Sequence, residues 1–267
     1  MQLEAESLTR RVDVLGVGVS ATSIEAALEE VARWIDAREQ HYVCVTGVHG
    51  VMESQRDPEL TRIHNESGLT IPDGAPMLWA GRLAGASEMQ RMRGPDFMLA
   101  LCERAAERGW GSFFYGGAPE TPGLLAERLR ERYPGLRVCG TYSPPFRELT
   151  PDEDAEIVEL INASGAELVW VGLSTPKQER WMAAAEGRVR APALLGVGAA
   201  FDIHAGLVPE APAWIRPTGF EWAYRLSRNP RRLWRRYLRN NPAFLARILR
   251  HRPRIRGEAG PAPEGNR

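Results

Sequence analysis

Lysine occurs once in the 267 residues, at Lys177, so nearly all positive charge rests on arginine. Such a bias follows from nucleotide composition alone, so the choice of arginine over lysine at any one position carries no argument. Cysteine is also scarce. Cys44, Cys102 and Cys139 are odd in number and sit among apolar neighbours, which excludes a disulfide framework and ligand-type spacing and suits reduced core residues of a cytoplasmic protein. Long apolar runs are missing. The most apolar window, Ala191–Phe201, has 11 residues rich in Gly and Ala, against roughly 20 for a membrane span. Met1–Arg11 is polar, without the apolar segment of a signal peptide, so a chain on the cytoplasmic side is expected. Acid is absent between Arg225 and Arg256, a stretch that holds 12 arginines. The formal net charge of zero therefore hides a division: 34 − 12 leaves 22 basic against 34 acidic residues elsewhere, a balance of −12. This is the pattern of an acidic body carrying a basic arm.

What is present reads as alternating strands and helices. Residues 12–19, VDVLGVGV, read as a strand, and Thr22 with Glu25 as a capping box before a helix over 23–38. Gly16-x-Gly18-x-x-Ala21 imitates a dinucleotide fingerprint, which also needs an acid at the end of the second strand. That strand, Tyr42–Thr46, runs into Gly47-Val48-His49 with no acid, which argues against a nicotinamide cofactor. A helical pattern follows over 48–66, restarting at Asp57-Pro58. Next come the short strand Leu69–Ile71, the stop at Pro72 and the turn Asp73-Gly74 into the apolar segment Ala75–Leu83. A strand-to-helix turn lies at the carboxyl edge of such a sheet, where ligands bind. Asp73 is thus placed as a general base would be, with Arg91 and Arg93 as candidate anion clamps. The plainer reading makes Asp73 a turn residue and helix cap.

Further along, a helix from Gly94 to about Arg108 leads to the strand Ser112–Tyr115 and a Gly116-Gly117 turn. Backbone N–H groups there suit a phosphate, although such turns are also ordinary strand–helix packing. A helix over 120–132 and the strand Leu136–Gly140 precede Thr150-Pro151-Asp152-Glu153, a cap with proline in the first turn. Asp152-Glu153-Asp154 mimics an Asp-x-Asp metal motif, but its place in a first helical turn favours dipole compensation. After the strand Glu167–Gly172, Thr175 reads as a cap, Pro176 as a helix start and Gln178 as the capping-box residue. Lys177 and this helix start face the same carboxyl edge. The strand Ala193–Val197 and a turn over Gly198–Gly206 close the pattern.

The expected architecture is α/β: a Rossmann-like, mostly parallel sheet with helices on both faces, plus a basic helical C-terminal appendage. Residues 1–208 form the expected catalytic domain, 209–256 the Arg-rich appendage with short helices starting at Asn229-Pro230 and at Pro242, and 257–267 a disordered tail. Nucleic acid, an anionic membrane surface and a phosphate-bearing substrate each suit the arm. The sequence leans to the last two, with no nucleic-acid partner expected. A non-enzymatic adaptor using this arm stands as the alternative to an enzyme.

Taken together, the motifs resemble the WecG/TagA/CpsF family of bacterial glycosyltransferases over about residues 14–245. They are Thr46; Pro72-Asp73-Gly74; Arg91-x-x-Gly94-x-Asp96; Phe114-x-Gly116-Gly117; and Tyr133-Pro134. Further on stand Gly172-x-x-x-Pro176-Lys177-Gln178-Glu179, Gly196-Val197-Gly198-Ala199-x-Phe201-Asp202, Glu221-Trp222-x-x-Arg225-Leu226, and Pro230 with Arg232. The resemblance implies a UDP-sugar-dependent hexose transfer. An N-acetylaminosugar, N-acetylmannosamine or its uronate, would pass from UDP to a polyprenyl-diphosphate-linked sugar in cell-surface polysaccharide synthesis, with no cofactor and no metal. It makes Asp73 the general base, Thr46 a donor contact, and Arg91 and Gln178 ligands of the donor or its diphosphate. Arg225, Arg232 and Arg235 would close over the site and meet phosphate. Gly116, Gly117 and Lys177 complete the substrate-binding set. Val48 stands where the family often has Asn, with His49 beside it as the candidate substitute, and Asn229 where it usually has Glu. Peripheral association with the inner face of the cell membrane is expected, and a homo-oligomer is compatible with the sequence.

Overall fold

The computed structural model of the chain describes residues 10–257 except 220 and 229, and not the side chains of 217, 232 and 236. The disordered tail expected above, apart from Gly257, and the Asn229 cap lie outside the described residues. The first departure comes at once. Residues 12–19 are not one strand but an antiparallel hairpin of β1 (Arg11–Val14) and β2 (Val17–Ser20). Leu15 and Gly16 form its turn, both at positive φ (56° and 85°), as a two-residue hairpin loop requires. The glycine fingerprint is thereby spent. Gly16 makes the turn, and a Cβ on Gly18 would stand 2.8 Å from the Arg256 guanidinium carbon.

Beyond the hairpin the expected alternation holds, through α1 (Ile24–Ala37), β3 (His41–Thr46), α2 (Val48–Ser54), α3 (Pro58–Glu66), β4 (Leu69–Pro72) and α4 (Ala75–Leu83). It continues with α5 (Gly94–Arg108), β5 (Gly111–Gly116), α6 (Thr121–Arg132), β6 (Arg137–Tyr142), α7 (Pro151–Ser164), β7 (Leu168–Gly172), α8 (Lys177–Ala185) and β8 (Ala193–Gly196). The six strands β3–β8 form one parallel sheet in the order β4-β3-β8-β7-β5-β6. Alternate residues feed two cores, as strands covered on both faces must. Leu168 and Trp170 join Phe114, Leu195 and helices α1, α5 and α6 on one face. Val169 and Val171 join Phe113, Tyr115 and helices α7 and α8 on the other.

Among the described residues, side-chain caps set the starts of α1, α3 and α7. Asp57 caps α3 by accepting from Leu60 N at 3.1 Å, and Thr150 and Glu153 form the reciprocal box of α7 at 3.2 and 2.9 Å. Asp154 accepts from Trp181 Nε1 and pairs with Arg188, so the acidic run serves its helix and its neighbours. Two caps differ from expectation. Ser23, not Thr22, caps α1 by accepting from Ala26 N. Thr175 does not cap α8, because its hydroxyl donates to Glu179 Oε1 at 2.9 Å. The expected turn at 198–206 contains a short helix, α9 (Ala200–His204).

A short 3₁₀ turn at Arg216–Thr218 precedes α10 (Glu221–Arg228), α11 (Pro230–Arg250) and β9 (Arg254–Ile255). Pro242 does not start a new helix. It lies inside α11, where it removes a backbone donor. Packing carries the helix through the gap: Phe244 and Ile248 are buried with Val12, Val14, Val17 and Val19 of the hairpin, Val51 and Met52 of α2, and Met77 of α4. β9 then pairs with β1, which stitches residues 254–255 to residues 12–13 of the hairpin. Among the described residues no helix is long and apolar enough to cross a membrane.

Candidate active site

The carboxyl ends of β3 and β4 lie side by side, Thr46 opposite Pro72. The next residue, Asp73, donates its N–H to Thr46 O at 2.9 Å, which prolongs the ladder and fixes where the side chain leaves. This closeness explains Gly47, on which a Cβ would stand 2.8 Å from Asp73 O. Gly74, at φ +88°, turns the chain into α4 and is itself the cap residue, with no side-chain capping bond. The Asp73 carboxylate is therefore not consumed as a helix cap. It faces a cavity of about 170 Å³, whose walls include His49, Arg91, Thr175, Arg225 and Tyr237.

The two C-terminal helices supply the far wall. Trp222 of α10 and Tyr237 of α11 pack with ring centroids 5.7 Å apart, and both line the cavity. Asn240 lies 3.2 Å from His49 Nδ1, which joins α11 to α2. Glu221 opens α10 and is buried. Its carboxylate accepts from Arg91 Nη2 at 2.9 Å, Arg225 Nη2 at 2.7 Å and Arg93 Nη2 at 3.2 Å. Arg93 is further held by Asp96 and Glu210, at 3.0 and 2.7 Å. Burial pushes the Asp73 carboxyl above the ordinary aspartate range, and Glu221 adds to the rise, while Arg225, Arg91 and Arg93 pull against it. Burial also opposes ionisation of Glu221, but Arg225, Arg93 and Arg91 together hold it below the usual range. The site thus pairs one carboxylate with a raised affinity for protons and guanidinium groups suited to an anion.

Of the residues expected from sequence, His49, Asp73, Arg91 and Arg225 share this cavity. Thr46 is buried beneath it, its carbonyl on Asp73 N and its hydroxyl without a hydrogen-bond partner. Gln178 is buried as well. Its amide N donates to Glu179 Oε1 at 3.1 Å, and its Oε1 has no partner. Burial raises Glu179. Gly116, Gly117, Lys177 and Arg235 are not among the residues that line the cavity. Gly117 N–H donates to Gly172 O at 3.1 Å and so is turned away from any phosphate. Both glycines are required by packing, since a Cβ on Gly116 would meet Gly172 at 2.7 Å and one on Gly117 would meet Thr121 at 2.8 Å. Lys177 places its ammonium 5.2 Å from the Phe146 ring centroid. Arg235 is exposed, over its neighbour Trp234 at 5.3 Å, and the Arg232 side chain is outside the described ones. Sequence reasoning gave no role to Glu221, Tyr237 or Asn240. One signal existed: Glu221 is the lone acid between Glu210 and Glu258, and a lone acid among arginines is a natural ion-pair hub.

Residues 12–258 match the Glycosyl transferase WecG/TagA/CpsF family. The chain is also similar to the N-acetylglucosaminyldiphosphoundecaprenol N-acetyl-beta-D-mannosaminyltransferase of Bacillus spizizenii, 27% identical over 230 residues that cover 86% of each chain.

Proposed function

The chain belongs to the WecG/TagA/CpsF family and is a glycosyltransferase; from that premise we propose that it transfers an N-acetylaminosugar, N-acetylmannosamine or its uronate, from UDP to a polyprenyl-diphosphate-linked sugar. The relative's name supports an N-acetylmannosaminyl donor and an undecaprenyl-diphosphate-linked N-acetylglucosamine acceptor. The observation that carries the mechanism is the Asp73 carboxylate facing a cavity it shares with Arg91 and Arg225.

The acceptor hydroxyl is a weak nucleophile, and a carboxylate within hydrogen-bond reach takes its proton as the new C–O bond forms. Such a base contributes about 10²–10⁴ in rate, most when its pKa approaches the working pH. A raised Asp73 fits that need. As the bond to the anomeric carbon breaks, the UDP diphosphate gains negative charge, which fixed guanidinium groups stabilise. Arg91 and Arg225 are placed for this. With Asp73 as the base and UDP as the leaving group, the reaction in this reading is a single displacement with inversion at the anomeric carbon. The positive groups at hand let it proceed without a metal.

The acceptor is membrane-linked by its lipid, and α11 suits such a surface. Trp234, Leu238, Leu245 and Leu249 are exposed at spacings of 4, 7 and 4 residues, one stripe of a helix, with Arg231, Arg235 and Arg239 beside it. Trp79 and Leu83 on α4 add exposed apolar surface. We place residues 209–256 against an anionic bilayer, with cavity and acceptor headgroup at the same level. The test is release of UDP from UDP-N-acetylmannosamine in the presence of a short-chain prenyl-diphosphate N-acetylglucosamine acceptor, with and without EDTA. Acceptor-dependent UDP release in both arms supports the reading. No release removes this donor–acceptor pair, and loss with EDTA removes the metal-free displacement.

A further inference from the structure

Glu221 is the most heavily engaged charged group in the cavity wall, and the displacement described above gives it no step. It is 7% exposed. Three guanidinium groups reach its two oxygens: Arg91 on Oε2, Arg225 on Oε1, and Arg93 on Oε1 and, as an ion pair at 2.9 Å, on Oε2. The three arginines are not equivalent. Arg93 is already neutralised by Asp96 and Glu210 and is buried at 4% exposure. Arg91 and Arg225 line the cavity beside Asp73, and the carboxylate they share is that of Glu221. Arg91 is held at a second point by the carbonyl of Arg216. Arg225 stands one helical turn after Glu221 on α10, an i,i+4 pair.

A buried carboxylate bound to three cations does more than tie α10 down. A single partner would satisfy its charge, and placing three guanidinium groups together without it would set like charges against one another. We propose that Glu221 is a positioning residue: it holds Arg91 and Arg225 at fixed places over Asp73, so that both meet the donor's diphosphate without rearranging. The proposal rests on the glycosyl-transfer reading for the identity of the anion. The three ion pairs to Glu221 stand whatever that anion is. The groups facing Asp73 are Arg91 and Arg93 from the α4–α5 connection, Glu221 and Arg225 from α10, His49 from α2 with Glu53 3.7 Å behind it, and Tyr237 from α11. Removing the Glu221 charge leaves two cationic groups on the cavity wall uncompensated, and the Asp73 carboxyl becomes easier to ionise.

The test compares wild type, Glu221→Gln and Glu221→Asp in steady-state turnover from pH 4.5 to about 9, with thermal unfolding measured alongside. In Glu221→Gln, which keeps shape and loses charge, kcat is expected to fall about tenfold to a hundredfold, the scale of an ångström's misplacement. KM for the UDP-sugar changes less than threefold, and the acid limb of kcat/KM moves to lower pH. Glu221→Asp keeps the charge one methylene short, and is expected to keep the limb in place with an intermediate kcat. A residue that merely ties α10 to the body would lower the unfolding temperature of both variants and leave the limb where it was; that result overturns the proposal. Should Glu221→Gln not fold, an acid limb displaced in Glu221→Asp as far as about one pH unit overturns it equally. If wild type turns over no UDP-sugar, the transfer reading fails by itself. Titration of the ¹³C-labelled Asp73 carboxyl in wild type and Glu221→Gln then decides the proposal: a lower pKa in the variant supports it, and an unchanged one refutes it.

Discussion

Replacing Phe244 with alanine asks whether α11 belongs to the folded body or hangs from it. Phe244 is 3% exposed and packs in the cluster that includes the β1–β2 hairpin, α2 and α4. A phenylalanine side chain buries roughly 200 Å², and at about 25 cal/mol/Å² its transfer is worth about 5 kcal/mol. Denatured chains already hide part of that surface, so this is an upper figure. Measured truncations of buried phenylalanine cost about 3–5 kcal/mol. In a domain of this size each kcal/mol lowers the midpoint by about 2–4 °C, so Phe244→Ala should lower a single cooperative transition by about 6–20 °C. Circular dichroism at 222 nm and tryptophan fluorescence, followed through the same melt, provide the assay. Coincident curves shifted downward support one folding unit. A main transition within 2 °C of wild type, with only a small early loss of helix signal, would refute it. That outcome would also weaken the case for α11 as a wall of the cavity, because Phe244, together with Ile248 and the Asn240–His49 contact, holds the helix there.

Three further expectations follow, one from the surface and two from the base. Leu238→Glu with Leu249→Glu should abolish co-sedimentation with phosphatidylglycerol vesicles while leaving the unfolding temperature within about 2 °C, since both side chains are exposed; retained sedimentation would move the membrane contact elsewhere. Asp73 is raised chiefly by burial and works as a base only when ionised, so the acid limb of kcat/KM should lie above the ordinary aspartate pKa of about 4. The same sign gives a stability effect. A carboxyl raised on folding contributes stability that is full below its unfolded pKa and is lost as pH rises through the folded value. Asp73→Asn should therefore melt higher than wild type at pH 7.5, and by less at pH 4.

The parallel sheet is legible in the sequence because its strands are continuous apolar runs and its helices begin with strong local signals, the Thr150–Glu153 box and the Asp57 cap among them. The hairpin at 11–20 is not legible. Its turn uses Leu15 at positive φ, without the Asn or Asp that normally advertises such a turn, and valines on both arms fuse into one apparent strand. Pro242 misleads for the converse reason, since a proline that starts helices locally is overridden by Phe244 and Ile248 packing on distant elements. Within the site, Asp73 and His49 are legible because they follow the ends of β4 and β3 at one sheet edge, and Arg91 because it stands in a recognisable motif ahead of α5. Tyr237 and Asn240 are not, because the direction from which α11 approaches is a tertiary fact. Gly116 and Gly117 show the opposite error, a phosphate-like pattern explained by backbone packing.

The central claim is that Asp73 removes the acceptor proton in a cavity whose arginines hold the leaving diphosphate. Steady-state UDP release by Asp73→Asn, with UDP affinity measured by calorimetry on the same sample, tests it most directly. Turnover is expected to fall by about 10²–10⁴ while the affinity for UDP stays within about threefold. Turnover within threefold of wild type, in a variant that binds UDP normally, would contradict it.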